Sequence, residues 1–120
     1  MPLEQSKGDC YLKGNKTMKR IALTDGSGCW FDEDRAEEFS ESTWWDGKNN
    51  VSYATGSDRE HEWLYRTQGG KWILRWSSQY QGVSTTVDEI DDKTAAAWLV
   101  RSNHEPHAAC GEQFAALEIT

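Results

Sequence analysis

A chain of 120 residues suggests one domain, long enough to bury a core without a metal or a disulfide. Its formal charge of -7 lacks the basic surplus that general affinity for nucleic-acid phosphates or anionic lipid requires. Only 37% of the residues are hydrophobic, but seven Trp, four Tyr and three Phe, burying roughly 150–250 Å² each, can fill a small core.

Residues 1–17 are polar and rich in turn formers, with no sustained period, and are expected to form a loose leader before a domain over 18–120. The N-terminus lacks the apolar run of about 7–15 residues of a signal peptide, and no segment approaches the ~20 apolar residues of a membrane span. Cys10, Cys29 and Cys110 are odd in number and widely spaced, which gives no disulfide framework and fits reduced thiols in a cytoplasmic protein.

Lys19 to Thr24 reads as a strand with Ile21 and Leu23 on one face. Asp25-Gly26-Ser27-Gly28 is a turn, and Cys29-Trp30-Phe31 resumes the strand. The glycines lack the Gly-Lys-Ser/Thr ending of a Walker loop and the spacing of a dinucleotide fingerprint, so a plain hairpin is the better reading. Asp32 suits an N-cap, and Glu33, Asp34, Glu37 and Glu38 predict a helix to about Ser40 with Ala36 and Phe39 as its apolar stripe. Thr43-Trp44-Trp45 precedes a turn at 46–50, and Val51 to Thr55 is a predicted strand. Adjacent residues in a strand point to opposite faces, so Trp44 and Trp45 cannot share one. One of them is a candidate contact group or packs under a loop.

Glu62 to Ser77 carries the strongest pattern. Gly69-Gly70 as a two-residue type I′ turn pairs Thr67 with Trp72, Tyr65 with Leu74 and Trp63 with Trp76. That register predicts an aromatic face against the core. Leu64, Arg66, Ile73 and Arg75 would then share the opposite, half-charged face. Ser78 to Val83 is expected to prolong the second strand, and Ser84 to Ile90 to form a polar connection. A helix follows from Asp91 or Asp92 to about Arg101, burying Ala95, Trp98 and Leu99, with Asn103 at the left-handed C-cap and Pro106 beyond. Ala108 to Glu118 reads as a last helix with Cys110, Phe114 and Leu117 on one stripe. The sum is an α+β domain, a mainly antiparallel sheet of about five strands with helices on one face.

Among candidate sites, Arg66 and Arg75 would lie on a cross-strand diagonal, where two guanidinium groups bind a carboxylate or phosphate or else pair with the chain's own acids, Glu62 nearest. His104, His107 and Cys110 are metal-capable, but half of a four-ligand zinc set is missing and Pro106 interrupts their helix, so a solvent-exposed connection is expected. His61 sits between Glu60 and Glu62, which as strand neighbours point away from it, and no nucleophile–base pair is selected by spacing. Exposed Trp44, Trp45 or Tyr80 could stack a sugar or base, although the charge disfavours nucleic acid.

Thr24-Asp-Gly-Ser-Gly-Cys-Trp-Phe-Asp32, Leu64-Tyr-Arg-Thr-Gln-Gly-Gly-Lys-Trp72 and Ala95-Ala-Ala-Trp-Leu-Val-Arg-Ser-Asn-His-Glu-Pro106 resemble a group of small bacterial proteins carried as mobile-element or gene-cassette cargo, from about Met18 onward. The resemblance implies an accessory or anti-defence context and carries over no catalytic or binding residue. The sequence thus predicts a non-enzymatic protein without cofactor or metal, acting on another protein or on itself as a homodimer, with no direct nucleic-acid or membrane partner. Its expected contact residues are Trp44, Trp45, Leu64, Arg66, Ile73 and Arg75. A small-ligand or anion-binding domain and an acidic decoy are the alternatives.

Overall fold

The computed structural model describes residues 19–119, and the predicted leader and Cys10 lie outside them. In chain order come β1 (Arg20–Ala22), β2 (Trp30–Asp32), β3 (Glu37–Ser40), β4 (Thr43–Trp45), β5 (Asn50–Ser52), β6 (Glu60–Arg66), β7 (Trp72–Ser78), β8 (Thr86–Ile90), α1 (Asp92–Arg101) and α2 (Gly111–Ala116). The strands form a four-stranded antiparallel sheet ordered β3-β6-β7-β8 and two separate hairpins, β1-β2 and β4-β5. The fold is α+β with antiparallel sheets and helices packed against them, built from more and shorter strands than the sequence predicts.

The central hairpin is where the sequence predicts it, but one residue out of register. Arg66 faces Trp72, Leu64 faces Leu74 and Trp63 faces Arg75. The cause is the turn. Thr67 N–H donates to Lys71 O, and Lys71 N–H donates to Thr67 Oγ1 at 3.0 Å, leaving Gln68-Gly69-Gly70 as a three-residue loop. Only Gly70, at φ 87°, occupies the left-handed region, as the last residue of such a loop does. A slip of one residue carries a strand's alternate side chains to the other face. Leu64 and Arg66 therefore join Trp72, Leu74 and Trp76, while Trp63 and Tyr65 join Ile73 and Arg75.

Each face has its own cover. Leu64, Trp72 and the flanking Phe39 and Ile90 meet Ala95, Ala96, Trp98 and Leu99 of α1, together with Cys110. On the other face Tyr65, Ile73 and Val87 meet Phe31 of β2, with Ile21, Leu23, Ala36 and Trp63 around them. Asn103 takes φ 63° just past α1, as predicted, and Asp91, one of the two expected starts, caps the helix by accepting Thr94 N–H at 2.8 Å. Both outer strands have partners at their exposed edges. Thr24 bonds the N–H and C=O of Val87, and His104 Nε2 donates to Ser40 O, which blunts further strand addition there.

Four expected elements differ. Asp32 does accept Asp34 N–H, but the helix expected to Ser40 lasts only one 3-10 turn, Glu33–Arg35. Ala36 then turns extended, and β3 pairs with β6, so Phe39 reaches the core opposite Leu64 from a strand. Long-range pairing overrides local helix preference here. β7 stops at Ser78, leaving Tyr80 exposed in a turn, and the expected connection holds β8, with Val87 and Ile90 on opposite faces. The last helix shortens to Gly111–Ala116 after a 3-10 turn at Ala108–Cys110.

Candidate functional site

The β4–β5 hairpin stands apart from the main sheet. Gly47, at φ 106°, leads a two-residue turn between Asp46 and Asn49, and Asp46 Oδ1 accepts the N–H groups of Lys48 and Asn49. Those bonds, Asn49 first, hold the Asp46 carboxyl below its ordinary range. Trp44 sits opposite the buried Val51, with the Tyr53 ring 6.4 Å away, and Trp45 lies opposite Asn50. Trp44, Tyr53 and Trp45 are 43%, 47% and 63% exposed. Strand alternation puts Trp44 and Trp45 on opposite faces, as predicted, so the hairpin offers aromatic surface on two sides.

A polar node fastens this hairpin to the sheet. Glu41 Oε1 accepts Ser52 Oγ–H at 2.6 Å and Glu62 N–H at 2.9 Å, while His61 Nδ1 donates to Oε2. Ser52 is fully buried and its oxygen also accepts Ala54 and Thr55 N–H groups. Beside it Tyr53 N–H donates to Ser42 O, and Ser42 Oγ donates to Ser102 O at the end of α1. Below the node Trp98 Nε1 donates to Glu62 Oε1 at 2.9 Å. Burial pushes the Glu62 carboxyl above its ordinary range, against the opposing pull of that bond and of Arg101.

The node orients an imidazole, a feature the sequence reading missed because it considered only the chain neighbours of His61. Glu41 lies 20 residues away and arrives through the end of β3. His61 Nε2 makes no hydrogen bond among the described residues. Ser52, however, bonds to the carboxylate and not to the imidazole, which is the wrong order for an activated nucleophile. Among the described residues no group of three His, Cys, Asp or Glu side chains gathers as a metal site would need.

The other expected sites are relocated. Leu64 is fully buried beneath α1 and Ile73 is 4% exposed beneath β2, so they are core residues on opposite faces and offer no contact surface. Arg66 and Arg75 part in the same way. Arg66 lies over Trp72 at 4.8 Å and Arg75 over Trp63 at 5.3 Å, so the two guanidinium groups do not converge on an anion. Glu62, expected near Arg75, faces Trp76 instead. The 104–110 segment is a connection with Glu105, Pro106 and Ala108 exposed, as expected, but its histidines and Cys110 pack inward. His104 stacks on Trp98, and His107 packs edge-on against Trp72, accepts Ala109 N–H at Nδ1 and donates from Nε2 to Glu37. Cys110 is buried, which raises its thiol pKa, and Cys29 is exposed. No helix among the described residues is long and apolar enough to cross a membrane.

No protein family, curated protein or solved structure matches the chain.

Proposed function

We propose that this is a non-enzymatic binding protein that grips another protein with the β4–β5 hairpin. One observation carries the reading: three aromatic side chains, each more than 40% exposed, gather on β4 and on the residue that follows β5, outside the main sheet. Aromatic anchors of this kind dominate the energetics of interfaces. At roughly 150–250 Å² per aromatic side chain, their exposed parts offer on the order of 300 Å². A standard interface takes about 800 Å² per partner, so the hairpin serves as the apolar centre of a larger polar-rimmed contact. Aromatic groups on both of its faces suit insertion into a cleft better than docking on a flat surface. The net charge of -7 favours a partner whose cleft has a basic rim. The likeness to cargo proteins of mobile elements gives such a partner a context in accessory or anti-defence functions.

Self-association has less support, because Leu64 and Ile73, on whose shared face it was expected, are buried on opposite faces of the sheet. The test compares the wild-type chain with Trp44→Ala and Trp45→Ala as baits in host lysate, quantified by mass spectrometry, with sedimentation run in parallel. A captured protein whose yield falls roughly thirtyfold in either variant, as loss of an anchor worth about 2 kcal/mol would give, supports the proposal. Capture indifferent to both substitutions, or a dimer that they dissolve with no other partner lost, overturns it.

A further inference from the structure

The β1–β2 hairpin does not close flush on the sheet it covers. Between its turn end and the loop joining β6 to β7 lies a cleft of about 360 Å³. Phe31 and Ile73 lie at its base, buried to 7% and 4% exposure, and Leu23 and half-exposed Trp30 also line it. Lys71 Nζ and Glu89 Oε2 are 3.5 Å apart at the same cleft, and both side chains are substantially exposed. The volume falls within the range of small-molecule sites, roughly 300–1,000 Å³, and an apolar lining with a few convergent polar groups is their usual make-up.

We infer that this cleft binds a small zwitterion with a flat apolar body, of the aromatic amino-acid type. The ring lies on Phe31 and Ile73 with Trp30 at the rim, the carboxylate on the Lys71 ammonium and the ligand's ammonium on the Glu89 carboxylate. The charge pattern selects this class. A neutral body leaves the Lys71–Glu89 pair as it is and gains nothing from it. A singly charged body draws one member away and strips the other of its partner, whereas a zwitterion engages both. An ion pair this exposed is screened by solvent, so opening it costs little. A lone anion also meets the unfavourable net charge of the chain. This site lies on the hairpin opposite in role to the aromatic one, and the inference does not rest on the proposed protein contact.

Calorimetric titration of the whole chain with L-phenylalanine, 3-phenylpropionate and phenethylamine tests it. L-phenylalanine binds, and each singly charged analogue binds roughly fivefold more weakly or worse, the ratio that one exposed ion pair of about 1 kcal/mol supplies. Lys71→Ala and Trp30→Ala each weaken L-phenylalanine by at least about that factor, while Trp45→Ala leaves it unchanged. Alkylating exposed Cys29, which also lines the cleft, blocks binding in the wild type and not in Cys29→Ser. No heat from L-phenylalanine at millimolar concentration overturns the inference. So does equal affinity for an analogue, or affinity indifferent to Lys71→Ala, an exposed substitution that leaves the core intact.

Discussion

The two short hairpins are similar in size and opposite in use. β1–β2 lies on the sheet: Phe31 packs 5.1 Å from the Tyr65 ring, Ile21 and Leu23 flank it, and Arg20 stacks over the half-exposed Trp30. β4–β5 buries one apolar side chain, Val51, beside the hydrogen-bonded Ser52, and is held by hydrogen bonds to Glu41 and Ser42 while its aromatic groups face solvent. One hairpin is held by apolar burial, the other by a polar anchor that leaves its apolar groups free. The sharpest way to break this contrast is to truncate one ring in each. Phe31→Ala should cost roughly 3–5 kcal/mol, the usual range for a buried aromatic, in urea unfolding. Trp45→Ala, although it removes the larger side chain, should stay within about 0.5 kcal/mol. Equal costs would make β4–β5 a core element and remove the ground for treating it as a contact.

The docked hairpin has a second signature, in alkaline solution. Tyr65 is 1% exposed and its hydroxyl donates to Glu33 Oε2 at 3.0 Å, just beyond β2. Burial pushes its pKa up to about 12; the Arg75 bond opposes the rise, and Glu33 and Glu38 add to it. The folded chain therefore holds this proton more tightly than the unfolded chain, whose tyrosines titrate near pH 10. The resulting stability is complete below about pH 10, is lost at about 1.4 kcal/mol per pH unit above it, and levels off past pH 12. The loss totals roughly 2–3 kcal/mol. Subtracting the Tyr65→Phe unfolding curve isolates it, and a difference that stays flat from pH 9 to 12 would show that this hydroxyl is not buried in solution.

Much of the framework is legible from local pattern. The stripe Ala95, Trp98 and Leu99, the Asp91 cap and the left-handed Asn103 mark α1, and Asp25 to Gly28 marks the first turn. What escaped reading depends on distant partners. Glu33 to Ser40 has the composition of a helix, and only the unpaired edge of β6 makes it a strand. The register of the central hairpin turns on the Thr67 hydroxyl, which captures Lys71 N–H and lengthens the loop by one residue. From that single residue follows the separation of Arg66 from Arg75 and the burial of both Leu64 and Ile73. β8 did leave a trace, since Thr86, Val87 and Ile90 are β-branched and fall on alternating faces. For the site, the divergence of Trp44 and Trp45 was legible because adjacent strand residues must diverge, whereas the exposure of both was not. Glu41 was not, because nothing in a one-dimensional pattern joins it to Ser52 and His61.

The contrast sharpens most at that polar anchor. Glu41 receives three donors, and replacing its carboxylate with an amide keeps one accepting oxygen while putting an N–H group against a former donor. Hydrogen bonds to a charged group contribute about 1.5–3 kcal/mol, so with partial rearrangement Glu41→Gln should cost roughly 1–2 kcal/mol globally. Where the loss falls matters more than its size. Amide exchange should rise first at residues 43–55, the span of β4–β5 and its return turn, while the amides of β7 and of β6, apart from the Glu62 N–H that Glu41 itself accepts, keep their protection. The same substitution should leave the β1–β2 hairpin and its cleft untouched, because none of the three donors lies there. If protection instead falls evenly over the whole sheet, Glu41 is part of the core after all, and the aromatic hairpin has no separate anchor through which its position is held.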